Sequence, residues 1–392
     1  MTSPPKPRPR ILFVLPATAI GGAERRFQFI MEQLEGFEIS LLTHRAIVDL
    51  FDANRFQIAC FDDEGLHAPM PMNPRAIFTY GGAIRTMVRK TRPALIFGIM
   101  HVGTLYSAFA RDLMGGPKPA LIGSILGNVS AYFERFGRKP SLYEQAILRY
   151  MVQRPERVIV SSRGVRDDLI DRFGGSSKRI QVIGNGIDLL NIRAYRSARD
   201  NPPGRDRRFR IITTCRLNAQ KDVATLILAI HRLKERGVSA SLEIIGDGEE
   251  RSMLESLTQQ LGITDRVLFH GALRSPYLKM AEADLFVLSS FFEGFGNVLI
   301  EAMALGLPVI STDCPSGPSE IIQHHENGLL VPMQDPEALA SAIVLLIEEP
   351  ALRARLIEQA DLRLERHDAS HMTAAYQTLI ETWVKQRNPE VS

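Results

Sequence analysis

Short apolar runs rich in β-branched residues alternate along this chain with stretches whose apolar positions recur at helical spacing. Residues 10–17, 37–44, 95–100, 120–126 and 157–162 read as buried strands. Between them, residues 23–34, 75–90, 104–113 and 143–152 carry the helical period. Strands that are apolar throughout, each followed by a helix, predict a parallel sheet covered on both faces.

The alternation stops at residues 193–208, RAYRSARDNPPGRDRR, which carry no apolar period and include Pro202, Pro203 and Gly204. That composition predicts a linker. A second alternating series follows. Its strands are expected at 209–216, 241–245, 266–269, 285–290 and 308–312, with helices at 223–236, 250–261, 297–305 and 337–348. The pattern divides the chain into a Rossmann-like α/β domain at 10–192, the linker, and a second such domain at 209–370. A last helix, within 371–392, either closes the second domain or crosses back onto the first. Two doubly wound domains would face each other across a cleft, and ligands of open α/β sheets bind at the carboxyl ends of the strands.

At 392 residues the chain is long enough for two such cores. Its three cysteines, Cys60, Cys215 and Cys314, are far apart and form no C-x-x-C pair, so neither a zinc site nor a disulfide framework is indicated. A reducing, cytoplasmic setting fits this usage. No apolar run reaches the roughly 18 residues of a membrane helix. Residues 1–10 are basic and proline-rich without a following apolar stretch, and read as a flexible tail. Charge changes the picture more. Residues 1–195 hold 26 Lys and Arg against 17 Asp and Glu, and the remainder 21 against 27, so +9 and −6 sum to the net +3. A basic first half is suited to an anionic partner. Arginines without interleaved aromatics argue against nucleic acid.

The sharpest chemical feature is EGFGNVLIE, from Glu293 to Glu301, which follows an apolar strand and opens a helix. Gly294 and Gly296 let backbone amides approach a ligand. Phe295, Gly296, Asn297 and Val298 lie where a helix start exposes N–H groups to phosphate or sugar oxygens. Glu293 and Glu301 offer carboxylates for hydroxyls. A plain strand–loop–helix with an acidic residue at its start is the alternative. Arg216 and Lys221 follow the first strand of the second domain, where two cations could neutralise a diphosphate; a solvated basic loop is the alternative. The next strand ends at Gly246-Asp247-Gly248. In the first domain, the first strand runs into Gly21 and Gly22, the place a Rossmann fold uses for phosphates, although G-x-G-x-x-G is absent and no nicotinamide or flavin site is indicated. A strand ends at His101. Asn185-Gly186 reads as a tight turn. No two aspartates stand two apart, so no D-x-D metal site is present. The charge of a diphosphate would fall to Arg216, Lys221 and helix N-termini, with no metal and no other cofactor.

Taken in order, GGAER after the first strand, the histidine at a strand end, NGID before the linker, R-x4-K, GDGEE and EGFGNVLIEAMALGLPVISTDCPSGPSEII resemble the retaining GT-B glycosyltransferases of family 4. The likeness covers nearly the whole chain, and the spacing of Glu293 and Glu301 matches the family's E-x7-E pair. The resemblance implies that Glu301 holds the nucleotide ribose and that Glu293 contacts the donor sugar. It places Arg216 and Lys221 on the diphosphate, the amides around Phe295, Gly296 and Asn297 on sugar or phosphate, Gly21 and Gly22 beneath the diphosphate, and His101 near the reacting centre. Asp313 to Glu320, DCPSGPSE, resembles the version found in enzymes that build bacterial surface polysaccharides and lipid-linked oligosaccharides. That version implies a UDP-hexose or UDP-N-acetylhexosamine donor and a glycan or polyprenyl-diphosphate-linked acceptor.

The expected reaction is hexosyl transfer with retention, by a front-face route in which the leaving phosphate takes the acceptor's proton. Arg135, Arg138 and Lys139 would suit docking of a peripheral protein on an anionic inner membrane leaflet. Three rivals differ in what they require. A nucleotide-sugar epimerase would need no acceptor, a phosphorylase-like enzyme would depend on phosphate, and a non-catalytic scaffold of a polysaccharide assembly would tolerate loss of Lys221.

Overall fold

The computed structural model describes residues 8–67, 72–199 and 208–387. Most of the expected tail, residues 200–207 of the expected linker, and residues 388–392 therefore lie outside the described residues. The chain forms two compact units. One comprises Met1–Gly127, Lys139–Asn185 and Ser370–Ser392; the other comprises Asn128–Arg138 and Gly186–Ala369.

In the first unit, β1 (Arg10–Leu15), β2 (Glu38–Thr43), β3 (Gln57–Cys60), β4 (Leu95–Gly98), β5 (Ala120–Ile125), β6 (Arg157–Val160) and β7 (Ile180–Val182) form one parallel sheet in the order β3-β2-β1-β4-β5-β6-β7. The strand order reverses between β1 and β4, which opens a crevice at their carboxyl ends. Phe13 and Phe97 stack at 5.3 Å in the core of this sheet. The helix Ala369–Arg387 supplies Met372, Tyr376, Ile380 and Val384 to the same core. Their four-residue spacing makes one apolar stripe. The last helix therefore belongs to the first unit. Its Tyr376 hydroxyl accepts a 2.9 Å hydrogen bond from the buried Arg26 guanidinium, which also donates to the Ile183 carbonyl at 3.1 Å.

In the second unit, β8 (Phe209–Thr214), β9 (Ala240–Ile245), β10 (Val267–Gly271), β11 (Leu285–Leu288), β12 (Val309–Thr312) and β13 (Leu329–Val331) form a parallel sheet in the order β10-β9-β8-β11-β12-β13. Adjacent residues alternate between its two cores. Ile211, Ile244, Val287 and Ile310 face one, and Ile212, Ile245, Phe286 and Val309 the other. Burial on both faces is why these strands are apolar throughout. The order reverses between β8 and β11.

The observed boundaries differ from the sequence pattern in specific places. Strands β3, β7 and β13 were not anticipated; each is an edge strand of three or four residues, too short to carry a period. The main segment of the second unit begins at Gly186, before the expected linker. The charged stretch starts as helical turns, Leu189–Arg193 and Ala194–Arg199. There Arg193 pairs with Glu365 at 2.6 Å and Arg196 with Asp361 at 2.5 Å. Its charges read as solvated linker because their partners lie more than 160 residues away. Gly186 is in no tight turn. Ile187 bridges Asp368, and a Cβ on Gly186 would lie 2.6 Å from the Ala369 Cα, so glycine is required by close approach.

Candidate functional site

The switch point of the second sheet is built from the loops that follow β8 and β11. The β8 loop, Cys215 to Lys221, is anchored by backbone bonds from Leu217 to the Asp247 carbonyl at 2.9 Å and from Glu250 to the Leu217 carbonyl at 3.0 Å. Gly246 makes this anchoring feasible. It has φ 140°, and a Cβ there would lie 1.8 Å from the Cys215 carbonyl oxygen. Asp222, at φ 44°, ends the loop and opens the helix Val223–Glu235.

The β11 loop is zipped to it. The Phe291 amide donates to the Gln220 carbonyl at 2.8 Å, the Gln220 side chain donates to the Phe292 carbonyl at 3.0 Å, and the Ser289 hydroxyl donates to the Lys221 carbonyl at 3.0 Å. Within this frame Lys221 Nζ lies 2.5 Å from Glu293 Oε1, and Ser290 donates its hydroxyl to the same oxygen at 2.6 Å. Both charged side chains are largely buried, 17% and 8% exposed. Burial pulls the Lys221 ammonium down, but the Glu293 charge and hydrogen bond outweigh it and hold the pKa above the ordinary lysine value. Burial pushes the nearby thiols up, Cys215 to about 11 and Cys314 to about 12. As neutral thiols they are poor nucleophiles.

Gly296, at φ 97°, precedes the helix Asn297–Ala304 without a side-chain cap. Phe295 and Gly296 are buried, and Asn297, Val298 and Glu301 are half-buried, Glu301 in the second turn. Phe295 stands edge-on to His367 at 5.8 Å. Arg216 is exposed and makes no ion pair among the described residues, so the two cations differ: Lys221 is engaged and Arg216 is available. The structure thus brings Lys221 and Glu293 into contact and places Arg216, Gly246 and the 295–301 segment on the same loops or those beside them.

The remaining sequence-predicted residues belong to the first unit, at the carboxyl ends of β1 and β4. Gly22 opens the helix Gly22–Gln33, and the Gly21 amide donates to the Glu24 carboxylate at 2.8 Å. Glu24 thus occupies a donor that the sequence reading left for a phosphate. His101 is exposed, but it does not end a strand. β4 ends at Gly98, and His101 is the second residue of the helix Met100–Asp112. Met100, at φ 60°, makes the turn and donates its amide to the Ser124 hydroxyl at 3.0 Å.

Sequence reasoning missed the helix Val129–Arg135, which is part of the second unit. Arg135 donates to the Ala219 carbonyl at 2.7 Å and lies 5.2 Å over the Phe291 ring, so it braces the two site loops. Asn128 donates to the Ser316 hydroxyl at 2.9 Å. Its one legible signal was Asn128 as a helix cap, with the Ala131 amide bonded to its side chain. Arg138 and Lys139 are exposed.

Comparison with known proteins gives a consistent result. Residues 20–190 match the profile of Glycosyltransferase Family 4, and residues 196–363 that of Glycosyl transferases group 1. Among curated relatives, the N-acetylgalactosamine-N,N'-diacetylbacillosaminyl-diphospho-undecaprenol 4-alpha-N-acetylgalactosaminyltransferase of Campylobacter jejuni is 32% identical over 58% of this chain and 60% of its own length. The lipopolysaccharide core biosynthesis glycosyltransferase LpsE of Rhizobium meliloti is 34% identical over 52% of this chain and 57% of its own. The matched part thus spans a little over half the length of these relatives. HepE of Anabaena, solved with UDP, has a TM-score of 0.77 at 21% identity, over 95% of this chain and 100% of that one. Sucrose-phosphate synthase of Thermosynechococcus elongatus has a TM-score of 0.82 at 19% identity, over 96% and 99%. At such identities the likeness is one of fold, the GT-B architecture with two Rossmann-like units.

Proposed function

Since this chain belongs to the glycosyl transferases group 1 family, we propose that it transfers a hexosyl group from a nucleotide-sugar to a hydroxyl of a glycan or lipid-linked acceptor in surface polysaccharide biosynthesis. The donor in this reading is UDP-hexose or UDP-N-acetylhexosamine, and the anomeric configuration is retained. The observation that carries it is the contact of Lys221 with Glu293 at the switch point between β8 and β11, where open α/β sheets bind ligands. The Campylobacter relative's name specifies a diphospho-undecaprenol-linked acceptor, and a further HepE structure was solved with UDP-glucose. Both support the choice of substrates.

In this mechanism Arg216 and Lys221 take the diphosphate, with the amides at the start of the helix Asn297–Ala304. Glu293, released from Lys221, accepts hydroxyls of the sugar, and Glu301 those of the ribose. Gly21, Gly22 and His101 keep in this reading the roles that the family resemblance implies for them. As the glycosidic bond breaks, charge gathers on the leaving diphosphate, and the cations carried on these loops stabilise it more than the ground state. The leaving phosphate oxygen takes the acceptor's proton, so no metal and no side-chain nucleophile is needed. The protein would work at the cytoplasmic face, held peripherally on the anionic leaflet by exposed cations such as Arg138 and Lys139.

The test is a panel of UDP-, GDP- and ADP-sugars offered with lipid-linked and free glycan acceptors. The products are read by mass spectrometry and their anomeric linkage by NMR. Transfer from a UDP-sugar with an α-linkage from an α-donor is expected. Conversion of the sugar-nucleotide without an acceptor would replace this reading with epimerisation, and no turnover of any donor would overturn it.

A further inference from the structure

A second concentration of cations lies at the opposite end of the first sheet, at the amino ends of its strands. Arg10, Glu38 and Gln57 are the first residues of β1, β2 and β3. Together with Arg8, Arg55 and Lys90 they line a recess of about 500 Å³, within the range of roughly 300–1,000 Å³ that small-molecule sites occupy. Four cations there face one carboxylate, and that carboxylate is committed: Glu38 accepts from Arg10 Nε at 2.9 Å.

The guanidiniums are positioned rather than loose. Arg10 also donates to the Thr91 carbonyl at 3.3 Å, and Arg55 donates to the Leu34 carbonyl at 3.2 Å, each keeping further N–H groups for a ligand. Gln57 accepts from the Ser40 hydroxyl at 3.1 Å through its oxygen, which leaves its amide nitrogen to donate. Arg8 and Lys90 are exposed and have no ion-pair partner among the described residues. An uncompensated cluster of this kind raises the local concentration of anions. Nothing in the proposed transfer uses these residues.

We propose that this recess binds a phosphate-bearing ligand, a phosphate monoester or diphosphate, through Arg8, Arg10, Arg55 and Lys90, with Gln57 donating to a further oxygen. The same chemistry is offered by a free phosphorylated metabolite and by a phospholipid headgroup, and the test separates the two. Inorganic pyrophosphate is titrated calorimetrically at low salt into the full chain and into its Arg8→Ala/Lys90→Glu variant. Both substituted positions are exposed and without an ion-pair partner among the described residues, so the variant should fold, its unfolding midpoint lowered by no more than a few degrees through the charge reversal in the last turn of the helix Pro74–Thr91. Binding by the proposed donor-site residues would persist in the variant, whereas binding in the recess should weaken at least tenfold. In a second arm, co-sedimentation with vesicles containing phosphatidic acid, whose headgroup is a phosphate monoester, is compared with phosphatidylcholine vesicles. Loss of anionic-vesicle binding in the variant, with no change towards pyrophosphate, assigns the ligand to a headgroup. Identical pyrophosphate isotherms together with identical vesicle binding overturn the proposal, whether or not the chain transfers sugar.

Discussion

Lys221 and Glu293 form a largely buried ion pair across the two loops of the second sheet's switch point, and one oxygen of Glu293 serves both Lys221 and Ser290. A pair of this kind adds little by itself, because desolvation offsets much of the attraction, but removing one partner strands the other charge. Lys221→Met should therefore destabilise the protein by about 3–5 kcal/mol, and Lys221→Met/Glu293→Gln should recover most of that loss. Urea unfolding of the three proteins checks it. Additive losses in the double variant would show that the two side chains act separately.

Arg216 gives the opposite profile. It is exposed and unpaired among the described residues, so Arg216→Ala should change stability by no more than about 0.5 kcal/mol. If it stabilises the leaving diphosphate, kcat/KM should fall on the order of a hundredfold to a thousandfold, about 2.7–4 kcal/mol. An active variant with unaltered kinetics would remove Arg216 from the site.

Gly246 bears on both loop geometry and stability. A Cβ at this position would sit 1.8 Å from the Cys215 carbonyl oxygen, and φ is 140°. Gly246→Ala must displace the β8 loop that carries Arg216 and Lys221. The backbone strain alone costs on the order of 1–3 kcal/mol, and the midpoint of thermal unfolding should drop by several degrees. Donor affinity should fall with it, as ligand-induced stabilisation by a UDP-sugar reports.

The acid limb of the stability curve has an identifiable contributor. Burial, with a smaller push from Arg366, lowers the His367 pKa to about 4. A base whose folded pKa is depressed contributes stability that is present above the unfolded value near 6.5 and lost as pH falls towards 4. His367→Phe keeps an aromatic ring beside Phe295 and removes the titration. Its stability should fall less than the wild type's between pH 6.5 and 4, measured by urea midpoints across that range. Parallel curves would assign the acid loss to other groups.

Much of the architecture was legible along the chain because it rests on local pattern. Apolar strands such as ILFVL and LFVL, each followed by a helical period, determine two parallel sheets. Residues 293–301 carry their own loop-to-helix signal, and Glu301 stands in the helix its spacing predicts. What the pattern lacked were relationships between residues far apart in sequence. Lys221 and Glu293 are 72 residues apart, and either could have been a solvated charge. Arg196 looked like linker until Asp361 was placed beside it. Glu24, a helix-start acid by sequence, turns out to hold the Gly21 amide. The short edge strands, the helix at Val129–Arg135 in the second unit, and the last helix in the first unit's core were likewise decided in three dimensions. Periodicity is a property of neighbours a few residues apart, so it specifies elements and their buried faces. Charge pairing and edge pairing depend on which partner the folded chain delivers, and only the tertiary structure contains that partner.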